Sequence, residues 1–114
     1  MSGEPILAAE AWVAVCAAER LLGQPMVCAT AGGVALLVIR VGDRLYACER
    51  ACPHEQADLS LGRVTDGQLH CPRHQAWFDL GDGRISPGWT SRALRRYAVR
   101  IADGEVQVDL AGEP

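Results

Sequence analysis

Short apolar runs broken by turn dipeptides dominate the chain, and their alternation predicts strands. Val34–Val41 is almost continuously apolar and leads through Gly42-Asp43 into Leu45, Tyr46 and Ala47. This reads as a hairpin whose first strand is largely buried. Arg63–Thr65, Asp66-Gly67 and Gln68–His70 read as a second hairpin. A third runs from Trp77, Phe78, Asp79 and Leu80 through Gly81-Asp82-Gly83 to Arg84 and Ile85. Tyr97, Val99 and Ile101 alternate with Ala98, Arg100 and Ala102 up to Asp103-Gly104. Val106, Val108 and Leu110 alternate beyond that turn, completing a fourth hairpin. Residues 12–16 favour strand because of Val13 and Val15. One short helix is predicted over residues 17–22, ended by Gly23 and Pro25. The expected fold is therefore all-β: one domain over residues 1–114, an antiparallel sandwich or barrel of short strands.

Composition narrows the classes of function. A chain of 114 residues, 49% hydrophobic and 22% charged, is an ordinary globular domain with enough material for a core. A net charge of -3 argues against a nucleic-acid binder. Residues 5–16 are apolar, but Glu10 interrupts them and no basic residue precedes them, so they fail as a signal peptide. No run is long enough to span a bilayer. A cytoplasmic location is expected. The five cysteines, at 16, 28, 48, 52 and 71, are then not paired in structural disulfides. Each is either core filler or a metal ligand.

Two loops carry the chemistry. Cys52-Pro53-His54 and Cys71-Pro72-Arg73-His74 are separated by 16 residues. Each offers one thiolate and one imidazole, a donor set suited to iron or zinc. Proline after each cysteine fixes φ and stiffens the loop beside its ligand. The Asp66-Gly67 turn lies between them and brings Cys71 back towards Cys52.

This spacing resembles the Rieske [2Fe–2S] family. So do Ala57-Asp58-Leu59-Ser60-Leu61-Gly62 after the first loop, Trp77-Phe78-Asp79 with Gly83 after the second, Pro87, and the closing strand pair over residues 97–110. The resemblance implies one [2Fe–2S] cluster, with Cys52 and Cys71 on one iron and His54 and His74 on the other. Two neutral imidazoles in place of two thiolates make such a cluster easier to reduce than a four-cysteine one. High-potential members of the family carry an extra cysteine pair and two hydroxyl residues after the second histidine. Here those hydroxyl positions hold Ala76 and Phe78, which donate nothing. The low-potential class is therefore expected, as in ferredoxins of ring-hydroxylating oxygenase systems. Gln75 departs from the family, which usually has glycine there, and raises the question of a positive φ at that position.

The implied role is a one-electron carrier and not an enzyme. It would take electrons from an NAD(P)H-dependent flavoprotein reductase and pass them to a terminal oxygenase, as a monomer. The alternative is the small Rieske subunit of an assimilatory nitrite reductase, and a third reading is a zinc-stabilised interaction module. Glu55, Arg73 and Gln75 are candidates for the docking rim. Cys16, Cys28 and Cys48 read as small buried hydrophobes. His70 reads as a surface residue facing away from the metal, and Trp12, Trp77 and Phe78 as core aromatics. Trp89 reads first as packing and second as a cover for the cluster or a partner contact, and Arg92, Arg95, Arg96 and Arg100 first as a solvated face and second as a docking patch for an acidic partner.

Overall fold

A computed structural model describes residues 12–54, 56–73 and 75–114. Its centre is β3, Val34–Val41, which is buried on both faces. Leu36 and Val38 join Leu21, Val27, Ala31, Ala47, Val106 and Val108 in one apolar cluster. Leu37 and Ile39 point the other way, into a cluster with Cys48, Leu59, Leu69, Phe78 and Leu80. Successive strand residues face opposite sides, so a strand between two cores reads as an unbroken apolar run.

β3 pairs with β4 (Arg44–Glu49) across Gly42-Asp43, with Val41 opposite Arg44. β8 (Arg96–Ala102) and β9 (Glu105–Asp109) pair across Asp103-Gly104. Asp103 and Gly104 have φ of 54° and 76°. Two successive positive φ values twist the turn as the flanking strands require. β1 (Trp12–Ala17) pairs with β9, and β2 (Met26–Ala31) pairs with β3. The large sheet has the order β1-β9-β8-β4-β3-β2. Its edge strands β1 and β2 approach one another, so it is nearly closed.

A second sheet grows out of the connection between β4 and β8. It contains β5 (Arg63–Thr65), β6 (Gln68–His70) and β7 (Trp77–Asp79), in the order β5-β6-β7, preceded by a 3-10 turn at Leu59–Leu61. The excursion leaves and returns at one place. Ala47 pairs with Tyr97 and Cys48 with Arg96, and the Glu49 N–H donates to the Arg95 carbonyl at 3.0 Å.

Three expectations need correction. The helix α1 is only Arg20–Gly23, because Ala17 still belongs to β1 and the Ala18 N–H donates to Gly104. The third hairpin reduces to a single bridge between Phe78 and Ile85. β2 was not anticipated at all. Its Ala29 and Ala31 carry little strand preference, and its place comes from pairing with β3 across Gly32-Gly33.

Candidate metal centre

The two predicted loops are built alike. Residues 52–57 read Cys-Pro-His-Glu-Gln-Ala and residues 71–76 read Cys-Pro-Arg-His-Gln-Ala. The Cys52 N–H donates to the Ala57 carbonyl at 2.8 Å, and the Cys71 N–H donates to the Ala76 carbonyl at 3.0 Å. Both alanines are buried, so each loop closes on a small side chain under its cysteine. Gln56 lies in the left-handed region at φ 61°, and its N–H donates to the Cys52 carbonyl at 2.6 Å. That conformation costs a non-glycine residue about 1 kcal/mol. The left-handed residue therefore falls in the first loop, whereas the sequence raised the question for Gln75, which is exposed.

The stems differ. The second loop is the tip of the β6–β7 hairpin, with His70 paired to Trp77 at its base. The first has one bridge, Ala51 to Asp58, with the Leu59 N–H donating to the Arg50 carbonyl at 2.8 Å. Across that bridge the Arg50 guanidinium grips Asp58 with two hydrogen bonds of 2.9 Å. Asp58 also accepts from the Ser60 N–H at 2.9 Å and its hydroxyl at 2.7 Å, capping the 3-10 turn. The Arg50 hydrogen bonds, then those of Ser60, hold the Asp58 carboxyl well below its usual range.

Cys52 and Cys71 are 0% and 4% exposed and share one apolar cluster with Leu37, Leu59, Leu69 and Phe78. A thiolate in such surroundings is stable only against a positive partner, which a metal supplies. His54 is half-buried, and its ring meets Trp89 edge-on at 5.1 Å and 83°. His74 and Glu55 lie outside the described residues. Among the described residues no three His, Cys, Asp or Glu side chains gather around one point. A two-iron cluster of the Rieske kind asks for only two protein donors per iron. The residues in place fit that group. Ala76 and Phe78 are fully buried beside the second loop and offer no hydroxyl.

A third loop covers the site. Ser86 is buried; its N–H donates to the Trp77 carbonyl at 2.8 Å, and its hydroxyl oxygen accepts the Trp77 N–H at 3.1 Å. Glu49 holds the far end of this loop, accepting from Arg92 at 2.8 and 2.9 Å and from the Arg95 N–H at 2.7 Å. Arg92 is thus a tie made at the surface: it lies on the solvated face expected from sequence, with its side chain 48% exposed, and still holds Glu49. Arg96 donates to the Gly81 carbonyl at 2.8 Å, and Arg100 lies 4.2 Å over the Trp12 ring. These ties could not be read from a run of arginines. Trp89 packs against the His54 ring, a neighbour that the sequence did not specify.

Further assignments shift. Cys48 is buried as expected, and desolvation, then Glu49, pushes its thiol up to about 12. Cys28 is exposed and Cys16 half-buried, so neither is a buried hydrophobe. Phe78 is core, but Trp12 and Trp77 are only half-buried. His70 is half-buried rather than surface; its Nε2 is buried without a hydrogen-bond partner among the described residues. Burial, then Arg63, lowers its pKa.

Fold and loops together define a small antiparallel β protein with two proline-stiffened, cysteine-bearing loops built alike. The Rieske [2Fe–2S] domain family matches residues 11–98. The chain belongs to that family, and with it comes one Rieske-type [2Fe–2S] cluster. It is 39% identical over 80 residues to the anthranilate 1,2-dioxygenase ferredoxin subunit of Burkholderia cepacia, covering 70% of this chain and 74% of that one. It is 35% identical over 103 residues to the ferredoxin CarAc of Metapseudomonas resinovorans, covering 90% and 94%. Among solved structures, the complex of reduced oxygenase and oxidized ferredoxin in carbazole 1,9a-dioxygenase matches with a TM-score of 0.76 and 32% identity, covering 90% of this chain and 95% of that one.

Proposed function

We propose that this chain is the ferredoxin of a ring-hydroxylating dioxygenase system, an electron-transfer component and not a catalytic subunit. It takes single electrons from an NAD(P)H-dependent reductase and delivers them to a terminal oxygenase. The observation that carries this reading is the pair of matched loops converging on one apolar wall, with Cys52 and Cys71 both inside it. In this reading Cys52 and Cys71 hold one iron and His54 and His74 the other. The bound cluster supplies reversible one-electron chemistry with a raised potential relative to four-cysteine clusters.

The chain's own residues supply the rest. Leu59, Leu69 and Phe78 exclude water from the cysteine side. His54 stands half-exposed, and Arg73, Gln75 and Pro87 are exposed at the same end, leaving the histidine side open to a partner. Glu55, the remaining candidate for the docking rim, lies outside the described residues. The single domain over residues 1–114 and a cytoplasmic location belong to the same reading; no helix among the described residues is long and apolar enough to cross a membrane.

Electron paramagnetic resonance of the dithionite-reduced, iron-replete protein tests the cluster and its ligands. A Rieske signal, with average g below the free-electron value, is expected, and Cys52→Ser or His54→Ala should abolish it. A protein that contains zinc and gives no such signal would sink the reading. Rapid reduction by a dioxygenase-system reductase, without stable association with a sirohaem subunit, separates the ferredoxin from a nitrite reductase subunit.

A further inference from the structure

Glu49 and Arg50 are consecutive at the end of β4, yet their side chains hold two different loops. Arg50 grips Asp58 across the base of the first metal-binding loop, through two hydrogen bonds of 2.9 Å. Glu49 grips Arg92 at 2.8 and 2.9 Å and the Arg95 N–H at 2.7 Å, at the base of the covering loop. The two loops meet again at their other ends, where the Trp89 ring abuts the edge of His54 at 5.1 Å. The result is a closed circuit: one dipeptide at the bottom, one ring contact at the top, and a loop on each side.

We propose that Glu49 and Arg50 act as a two-armed strut that positions His54 against Trp89, and so fixes the orientation of the histidine-bound side of the cluster. The inference rests on the ligand role given above to His54. The two arms grip Asp58 and Arg92, so Glu49, Arg50, Asp58 and Arg92 act here as positioning residues. Three features support the assignment. The first loop has only one bridge at its stem, whereas the second ends a hairpin, so the first needs a brace more. Both arms are two-pronged guanidinium–carboxylate pairs, which fix orientation as well as distance. The Glu49 side chain is also largely enclosed, at 13% exposed, while the Arg92 side chain that it holds is 48% exposed, so the acceptor is the fixed half of this pair.

The test uses the cluster-loaded full chain, with Asp58→Asn cutting one arm, Arg92→Gln the other, and the double variant cutting both. Two readouts apply: the g-values of the reduced cluster, and the half-life of its visible absorption under a chelator. Each single variant should shift the g-values and shorten the half-life several-fold. Because both arms hold one contact, the double variant should lose less than the product of the two single effects. In a Trp89→Ala background both effects should shrink. Arg100→Gln, which removes an exposed hydrogen bond to Gln107 on the large sheet, serves as the control and should change neither readout. If a variant fails the circular-dichroism check for folding, Arg50→Lys and Arg92→Lys carry the same comparison, with charge kept and the fork lost. Unchanged g-values in the single variants would overturn the strut, as would effects that multiply independently or persist in full without Trp89. A Rieske signal missing from the unaltered protein would instead overturn the ligand role of His54.

Discussion

Cysteine chemistry differs between two strands of one sheet, β2 and β4. Cys48 sits in the apolar layer between the two sheets with its thiol pushed up to about 12, so it stays protonated and shielded. Cys28 lies exposed on β2. Iodoacetamide should therefore label Cys28 in the native protein and leave Cys48 untouched until unfolding; equal labelling, followed by peptide mass spectrometry, would contradict the packing. Asp58 makes a second prediction. Its depressed carboxyl pKa, caused first by Arg50, contributes stability that is fully present above the unfolded value near pH 4 and is lost as pH falls through the folded value. Asp58→Asn should then unfold at a lower temperature than the unaltered chain at neutral pH, and the gap should begin to narrow below about pH 4 and close only as Asp58 protonates in the folded chain. At this scale the two cysteine-bearing loops were legible in sequence, because proline after each cysteine and the Asp66-Gly67 turn between them set their form. The contact of Trp89 with His54 and the pairing of Arg92 with Glu49 were not legible. Their roles depend on a loop folding back over 35 residues or more, and no local pattern encodes that.

Elements were easiest to read where a turn imposes its own chemistry. Asp66-Gly67 and Asp103-Gly104 carry paired positive φ values, and the strands on either side fell where the turns placed them. β2 lacks such strong side-chain preference, and its strand state is a tertiary effect of lying beside β3. Gly62 shows a constraint of another kind. Its φ of -85° is open to any residue, but an added Cβ would collide with the His70 carbonyl. That carbonyl immediately precedes Cys71, so the collision falls on the stem of the second loop. Gly62→Ala should cost about 3 kcal/mol, seen as a lower unfolding midpoint, and should impair cluster loading. A variant of unaltered stability with a full complement of iron would show that the approach is not needed.

For the whole molecule, the decisive quantity is the reduction potential. Rieske centres span about −150 to +300 mV, and hydrogen bonds to the sulfurs raise the value. Ala76 and Phe78, both fully buried, supply no hydroxyl. A potential below about +100 mV is expected by direct electrochemistry, and a higher value would mean that other donors reach the cluster. The all-β class and the cluster family could be recognised from sequence. The division into a large sheet and a smaller one could not, because it depends on β4 pairing with β8 across a long excursion.

That excursion has a consequence for how the protein matures. The large sheet keeps one apolar interior of its own, built from Leu21, Val27, Leu36, Val38, Ala47, Val106 and Val108, none of which belongs to the iron-binding segment. Although the other face of β3 packs on the excursion, loss of metal and loss of fold are expected to be separable events. In the iron-free chain, amides of β3, β8 and β9 should still exchange slowly with deuterium, while residues 50–95 exchange fast. Uniformly fast exchange would mean that the two parts are one cooperative unit. With the sheet assembled first, the cell's cluster-assembly machinery would meet a preformed frame with an open mouth, and inserting the iron would be the last step of folding.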